Sequence, residues 1–409
     1  MIINAIIAEY NPFHKGHKLQ LERAKQKTGA DYTIVIMSGS FVQRGTPAIL
    51  DKFLRTEMAL KCGADLVLEL PVCYSCSSAE YFAFGAVTLA DKLSVVDNLC
   101  FGSESGDPEV LSRIAKILEN EPDEYKEYLR QNIRLGLSFP IARTSALIQY
   151  DNSLAFARDV LATPNNILGI EYIKALNTRN SRISPITTKR IGLDFHDHRF
   201  GVGQCSSKAI RDALFNGNSE DYLKNEMPSE AFEILSDNID SCIFPDDFSE
   251  MLYYKLLMER NEGYMRFLDV SNDLSDRIIK KLPKFRSFTD FCDTLKTKEI
   301  TYTRISRILM HILLDITDNM MVERTRNDYI PYVRVLGFKE ASKEVLTRIK
   351  NNSSLPIITK LADAQKALSK DAYSILMDEL KINDIYLGAL AMKTNTPLKN
   401  EISTPIVKL

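Results

Sequence analysis

The stretch Ile2-Ile3-Asn4-Ala5-Ile6-Ile7-Ala8, continued by Glu9-Tyr10-Asn11-Pro12-Phe13-His14-Lys15-Gly16-His17, decides how the first half of the chain folds. An apolar run broken only by Asn4 is too continuous for a half-exposed strand, so residues 2–8 read as a strand covered on both faces. From His17 to Thr28, Leu19, Leu21 and Ala24 recur at helical spacing. The turn Asn11 to His17 therefore joins the carboxyl end of a buried strand to the start of a helix. In an open α/β sheet that edge is where ligands bind. The first turn of such a helix offers unpaired N–H groups and the positive end of its dipole, both suited to phosphate. Gly16 has no side chain to block close approach, Pro12 stiffens the turn and Asn11 suits a turn or cap. His14 and His17 can donate hydrogen bonds to phosphate oxygens as charge builds in a transition state. Standing against this is a bland alternative, in which His17 merely helps to start the helix.

Moving outward, residues 32–37, 66–70, 98–102 and 185–191 read as further strands. Helical segments at 52–62, 78–92 and much of 107–180 separate them, and another helix should begin at Ser206 or Ser207. Strand and helix in alternation imply parallel strands with right-handed crossovers. The expected fold is α/β: a Rossmann-like doubly wound parallel sheet over residues 1–220. From Tyr222 the alternation stops. Residues 231–235, 250–260, 276–281, 305–316, 339–349 and 364–380 read as helices with few strand signals between them, so residues 221–409 should form a mainly α-helical second domain.

Composition narrows the function classes. With 409 residues, 45% hydrophobic and 26% charged, the chain is that of a soluble globular protein of two or three domains. A net charge of -2 excludes a bulk nucleic-acid or membrane character, so any RNA surface must be local. Seven widely spread cysteines point to free thiols in a reducing compartment. No basic leader precedes the first apolar run, and no apolar run is long enough to span a bilayer. These features together place the protein in the cytoplasm, with no membrane partner.

A second motif, Ser206-Ser207-Lys208-Ala209-Ile210-Arg211, stands where the nucleotide half should end. Its serines and the helix amides suit terminal phosphates, with Arg211 one turn along as a fixed charge. Taken alone, two serines before a helix are an ordinary N-cap.

Asn11 to His17 resembles the HxGH motif shared by nucleotidylyltransferases and class I aminoacyl-tRNA synthetases. Those enzymes direct attack on the α-phosphate of ATP and release pyrophosphate. Residues 206–211 resemble their second signature, Ser-Ser-Thr-x-Ile-Arg, with Lys208 where Thr is common. The stretches Ser38-Gly39-Ser40-Phe41-Val42-Gln43-Arg44-Gly45-Thr46-Pro47, Gly63-Ala64-Asp65-Leu66-Val67-Leu68-Glu69-Leu70-Pro71, Phe101-Gly102-Ser103-Glu104 and Pro164-Asn165-Asn166-Ile167-Leu168-Gly169 narrow the match. Across nearly the whole chain they resemble the bacterial tRNA(Met) cytidine acetate ligase family.

That resemblance implies an enzyme that uses ATP and acetate to form N4-acetylcytidine at the wobble position of elongator tRNA(Met), through an acetyl-adenylate. It implies an ATP site lined by Ile7, Ala8, Glu9, Tyr10, Asn11, Pro12, Phe13, His14, Lys15, Gly16, His17, Lys18, Leu19 and Gln20, with Gly102, Asn165 and Arg190. Ser206 and Ser207 join the ATP contacts, and His14, His17 and Arg211 are the catalytic candidates, with Mg²⁺ sharing the charge neutralisation. On their residues alone, Gly102 reads as a turn glycine, Asn165 as an N-cap and Arg190 as a solvated strand end. The loop 38–47 should sit at the same sheet edge, and Ser38, Gly39, Gln43 and Arg44 are candidates for holding acetate; an exposed surface loop is the alternative.

For RNA, the stretch from Arg277 to Arg307 carries nine basic residues against three acidic, with Phe285, Phe288, Phe291 and Tyr302 interleaved. Lys281, Lys284, Arg286, Lys298, Arg304 and Arg307 are the RNA-binding candidates, and Arg334 and Lys339 add charge nearby. A solvated helix face over core aromatics is the competing view. No metal-binding set emerges: Cys73 and Cys76 lack a second ligand pair, and His196-Asp197-His198 reads as a polar loop. His311 reads as an interior or partner-facing residue. Two other functions share parts of this pattern. A small-molecule adenylyltransferase needs no basic half, and a non-catalytic RNA-binding protein needs no intact His14, Gly16, His17 and Arg211.

Overall fold

The computed structural model describes residues 1–190, 206–217 and 220–409. Its strands are β1 (Ile3–Ala8), β2 (Tyr32–Ser38), β3 (Phe41–Val42), β4 (Thr46–Pro47), β5 (Leu66–Leu70), β6 (Asn98–Ser103), β7 (Ser184–Lys189), β8 (Val333–Phe338), β9 (Ile357–Ile358) and β10 (Val407–Lys408). The main sheet runs β10-β8-β5-β2-β1-β6-β7, with β9 on β8. From β5 to β7 all neighbours are parallel. Strand order reverses at β1, whose two neighbours are β2 and β6. That places the ligand crevice at the carboxyl ends of β1 and β6.

The continuous apolar runs are explained by burial on both faces. Ile3, Ala5, Ile34, Ile36, Leu66 and Leu68 enter one core cluster, while Ile6, Val35, Met37 and Val67 enter the other. All ten are fully buried, and each of the larger ones contributes about 1.5–3 kcal/mol by leaving water. The helix α1 (Lys15–Thr28) follows β1 and ends at Gly29, left-handed at φ 67, where a glycine carries no steric cost. The helix α2 (Lys52–Lys61) is capped by Asp51, which accepts from Phe53 N.

The second half is mainly helical, as its pattern predicts, with long members at Ser249–Glu259, Tyr302–Leu314 and Lys370–Thr394. It also gives strands to the sheet, which the helical reading of that half does not anticipate. β8 pairs antiparallel with β5, Leu66 opposite Phe338, and β10 lies parallel beyond it. The run Val333–Phe338, apolar except for Arg334, is buried along its whole length, and that is its physical signal. Gly337 lets the chain pass closely: a Cβ there would stand 2.7 Å from Val407 O and 2.8 Å from Thr56 Cγ2. The expected helix at 364–380 breaks in two, because Ser369 accepts from Ala372 N and starts the helix Lys370–Thr394 afresh.

Among the described residues no helix is long and apolar enough to cross a membrane. Cys62, Cys73, Cys76, Cys100, Cys242 and Cys292 are free and buried. Cys205 and His196-Asp197-His198 lie outside the described residues.

Candidate active site

His14 is the N-cap of α1. Its Nδ1 accepts from Gly16 N at 3.0 Å, and His17 Nδ1 accepts from His14 N at 3.2 Å. The two rings stack with centroids 3.8 Å apart. The helix-starting role of His17 is therefore real, and it sharpens the chemical one. With Nδ1 occupied by a backbone donor, each neutral ring must carry its proton on Nε2. Burial pushes the His14 pKa down to about 3, helped by the charges of Arg190 and Arg211. Burial, His14 and Arg190 likewise hold His17 well below its ordinary value. Both rings are thus fixed Nε2–H donors. Gly16 is needed for the cap itself, since a Cβ there would stand 2.8 Å from His14 Cε1.

The two sequence motifs meet. Arg211 Nη1 donates to Asn11 O at 2.5 Å, and Ser207 Oγ donates to Pro12 O at 3.1 Å. Ser206 caps the helix Ser207–Phe215 by accepting from Ala209 N. Asn11 Oδ1 accepts from Ile49 N at 2.7 Å, tying the turn to the next segment of chain. The remaining candidates divide. Tyr10 and Phe13 are core residues that shape the turn. Lys15 and Lys18 lean away onto the second half, to Asn225 O and Glu230. Ile7, Ala8 and Glu9 are half-buried at the open end of β1, and Leu19 is exposed on α1.

Gly102, Asn165 and Arg190 assemble at the same edge. The Arg190 side chain lies over Gly102, whose Cβ would stand 3.1 Å from Arg190 Cγ. Asn165 is not an N-cap. The helix Pro164–Thr178 has Thr163 in that place, and Glu104 takes its first amides, accepting from Asn166 N at 2.9 Å. The Asn165 side chain donates to the same carboxylate at 2.6 Å. Glu104 is a site-edge residue that the sequence pattern did not single out.

The loop after β2 is the larger surprise. It is almost wholly buried rather than exposed, with Ser38, Gly39 and Ser40 closed off and only Gln43, Arg44 and Thr46 half-buried. Arg55 of α2 holds it from below. Nη1 donates to Glu9 O at 2.7 Å and to Ser38 O at 3.0 Å, Nε donates to Leu50 O at 3.0 Å, and Nη2 donates to Gly39 O. One fully buried guanidinium thus ties the end of β1 to both ends of the loop. Its hydrogen bonds go to carbonyls, while Asp51, Glu69 and Glu9 act on its charge through space. Arg55 had no signal in sequence beyond a charge inside a helix. Gly39 sits against Glu69, leaving no room for a Cβ, and Glu69 pairs with Lys52 at 2.7 Å.

The chain matches the HIGH Nucleotidyl Transferase family model over residues 1–401. It is 41% identical over 363 residues to the tRNA(Met) cytidine acetate ligase of Clostridium novyi, covering 88% of this chain and 90% of that one. With the enzyme of the same name from Clostridium tetani it shares 39% identity over 414 residues and the full length of both. The chain belongs to the tRNA(Met) cytidine acetate ligase family. The crystal structure of Thermotoga maritima TmcAL bound with alpha-thio ATP superposes with a TM-score of 0.91 at 32% identity, over all of both chains.

In this member of the tRNA(Met) cytidine acetate ligase family the basic stretch splits into two kinds of residue. Lys284, Arg286, Lys298 and Arg304 are exposed and Lys281 is half-buried. Among the described residues none of the five has a carboxylate partner. Arg307 is half-buried against the β3–β4 hairpin. The three phenylalanines are not available for base stacking in the way their interleaving suggests: Phe288 and Phe291 are fully buried, and Phe285 packs between Phe291 and Tyr253, whereas Tyr302 is exposed. Arg334 is also interior, 3.7 Å from Glu401, so it adds nothing to the surface charge. His311 is a core residue, with Nδ1 3.0 Å from Leu268 O and Nε2 2.8 Å from Cys76 O. Burial raises the Cys73 and Cys76 thiols to about 12, which leaves them inert.

Proposed function

We propose that the chain is a cytoplasmic ATP-dependent acetate ligase that forms N4-acetylcytidine at the wobble position of elongator tRNA(Met) through an acetyl-adenylate, releasing pyrophosphate and then AMP. The observation that carries this reading is the joining of the two phosphate motifs, in which Ser207 and Arg211 hold the carbonyls of Pro12 and Asn11. That junction brings Arg211 to the helix start where His14 and His17 are neutral, and the charge of Arg190 bears on both rings. The names of the relatives and the nucleotide bound in the Thermotoga structure support the choice of ATP and RNA.

The amine of cytosine is delocalised into its ring and does not attack free acetate. In the first step an acetate oxygen attacks the α-phosphorus and the bond to pyrophosphate breaks. His14 and His17 donate from Nε2 to the phosphate oxygens, while Arg190 and Arg211 offset the growing charge. In the second step the cytosine amine attacks the acetyl carbon, AMP leaves with the bonding pair, and the amine loses a proton to water. Gln43 and Arg44, half-buried in the loop, hold acetate, whereas Ser38 and Gly39 shape its floor. Among the described residues no group of three His, Cys, Asp or Glu forms a metal cage. Mg²⁺ characteristically binds through substrate phosphates and water, so it would enter with ATP, adding charge neutralisation. Residues 1–220 handle the nucleotide, and residues 221–409 carry the RNA surface.

The test is transfer of radiolabelled acetate to total tRNA in the presence of ATP. Labelled RNA and released pyrophosphate are both expected. His17→Ala should lower acetate-dependent exchange of pyrophosphate into ATP by about 10²–10³-fold. Pyrophosphate released only with a phosphorylated metabolite would identify a small-molecule adenylyltransferase instead.

A further inference from the structure

The tip of the β3–β4 hairpin rests directly on the helix Tyr302–Leu314. A Cβ on Gly45 would stand 2.2 Å from Arg307 N and 2.4 Å from its Cα. Ser306 Oγ donates to Gly45 O at 2.7 Å. Gly45 also has φ 72, so the position demands glycine on two counts. Beside this contact on the hairpin stands Arg44, whose charge bears on Arg211 at the nucleotide edge. Beside it on the helix stands Arg307. The buried Cys76 thiol feels two charges, Arg307 and Glu9 at the end of β1. Arg307 and the end of β1 are therefore both near Cys76, and the hairpin links them, since Gln43 N donates to Glu9 Oε1 at 3.0 Å.

Its guanidinium is in an unusual state. Nε is enclosed without a hydrogen-bond partner, and among the described residues no carboxylate pairs with it. Asp269 acts on its charge only from beyond ion-pair distance; holding a half-buried cation so weakly compensated costs free energy, and a planar guanidinium is well shaped to recover it on a phosphate. Arg304, one turn earlier, is exposed and equally without a carboxylate. Together they lead from the exposed basic surface to the hairpin.

Resting on the ligase reading, we propose that Arg307 is a positioning residue for the RNA: it takes the phosphate beside the target cytidine, so that the base enters between Arg44 and Arg307 and its amine is held at the acyl group. The exposed cations set overall affinity, and Arg307 sets register.

Two activities of the full-length protein separate these roles. One is single-turnover transfer of labelled acetate to transcribed elongator tRNA(Met) at saturating RNA. The other is acetate-dependent exchange of pyrophosphate into ATP without RNA. In Arg307→Gln the ratio of transfer to exchange should fall by about tenfold to a hundredfold, the scale of a misplaced reactant. Affinity for the RNA, read by filter binding, should fall by less, and Arg307→Lys should restore part of the ratio. A wild-type ratio with weaker binding would make Arg307 a plain phosphate contact and overturn the proposal. Exchange falling in step with transfer would place the residue in adenylate formation and also overturn it. Should Arg307→Gln fail to fold by circular dichroism, Arg307→Lys decides alone, and an unchanged ratio sinks the idea. Wild-type protein inactive in both assays would remove the ligase reading itself.

Discussion

The molecule has two cationic regions, and they are built in opposite ways. At the nucleotide edge the positive groups are tethered: Arg211 is held on Asn11 O, and Arg55 on four backbone carbonyls. The histidines there are kept neutral, with each ring aimed by a backbone donor. Along residues 281–304 Lys281, Lys284, Arg286, Lys298 and Arg304 are exposed, or half-buried in the case of Lys281, and lack carboxylate partners among the described residues, whereas Lys296 pairs with Asp293. Fixed dipoles suit a charge that develops at one point in a transition state. Mobile, hydrated cations suit a phosphate chain that must be tracked and released. The difference teaches that basic residues of similar number serve catalysis or affinity according to how much freedom they keep.

The largest expected effect tests the tethered side. Arg55→Lys preserves the charge but cannot span four carbonyls, leaving buried acceptors that cost about 1–3 kcal/mol each. Acetate-dependent pyrophosphate exchange should fall by about a hundredfold, together with the melting temperature. Full activity would show that the edge needs only charge and not geometry. A smaller effect tests the free side. Lys284→Ala with Arg286→Ala should weaken tRNA binding and reduce the slope of log affinity against log salt by roughly 0.7 for each phosphate no longer neutralised. Equal losses in the exchange reaction would erase the contrast between the regions.

The smallest expected effect is on pH. Because burial holds His14 down to about 3 and His17 well below its usual range, exchange should change by less than about twofold between about pH 6 and pH 8. An imidazole titration near neutrality would break the argument for fixed Nε2–H donors. Stability has the matching sign. The unfolded histidines take up a proton near ~6.5, whereas folded His14 resists it until about 3. Their contribution is complete above the unfolded value and is lost as pH falls through that window, which thermal melts along a pH series will show.

Much of this was legible in sequence because it depends on local pattern. The run Ile3–Ala8 and the turn to His17 announce a buried parallel strand and a phosphate-facing helix start, and Ser206 to Arg211 announce its partner. What was not legible depends on contacts between distant segments. Arg55 reads like any helical arginine until Glu9, Ser38, Gly39 and Leu50 close around it. Arg334 reads as surface charge until Glu401 meets it inside. Val333–Phe338 carries a strand pattern, but nothing local says that it will add to β5 in the opposite direction. Phe288 and Phe291 show why aromatics among lysines are poor evidence for stacking: three apart on the helix Phe288–Leu295, they turn inward, while Lys284 and Arg286 stand on the segment before that helix.

That antiparallel strand has a consequence for how the protein comes into being. During synthesis β5 emerges from the ribosome long before β8, so the nascent first half presents an open hydrogen-bonding edge while the helical half is still being made. The chain must therefore be guarded against pairing with its neighbours on the polysome, and the sheet closes only when its last third arrives. Ending the chain near residue 220 would leave that edge permanently bare and send the product toward aggregation.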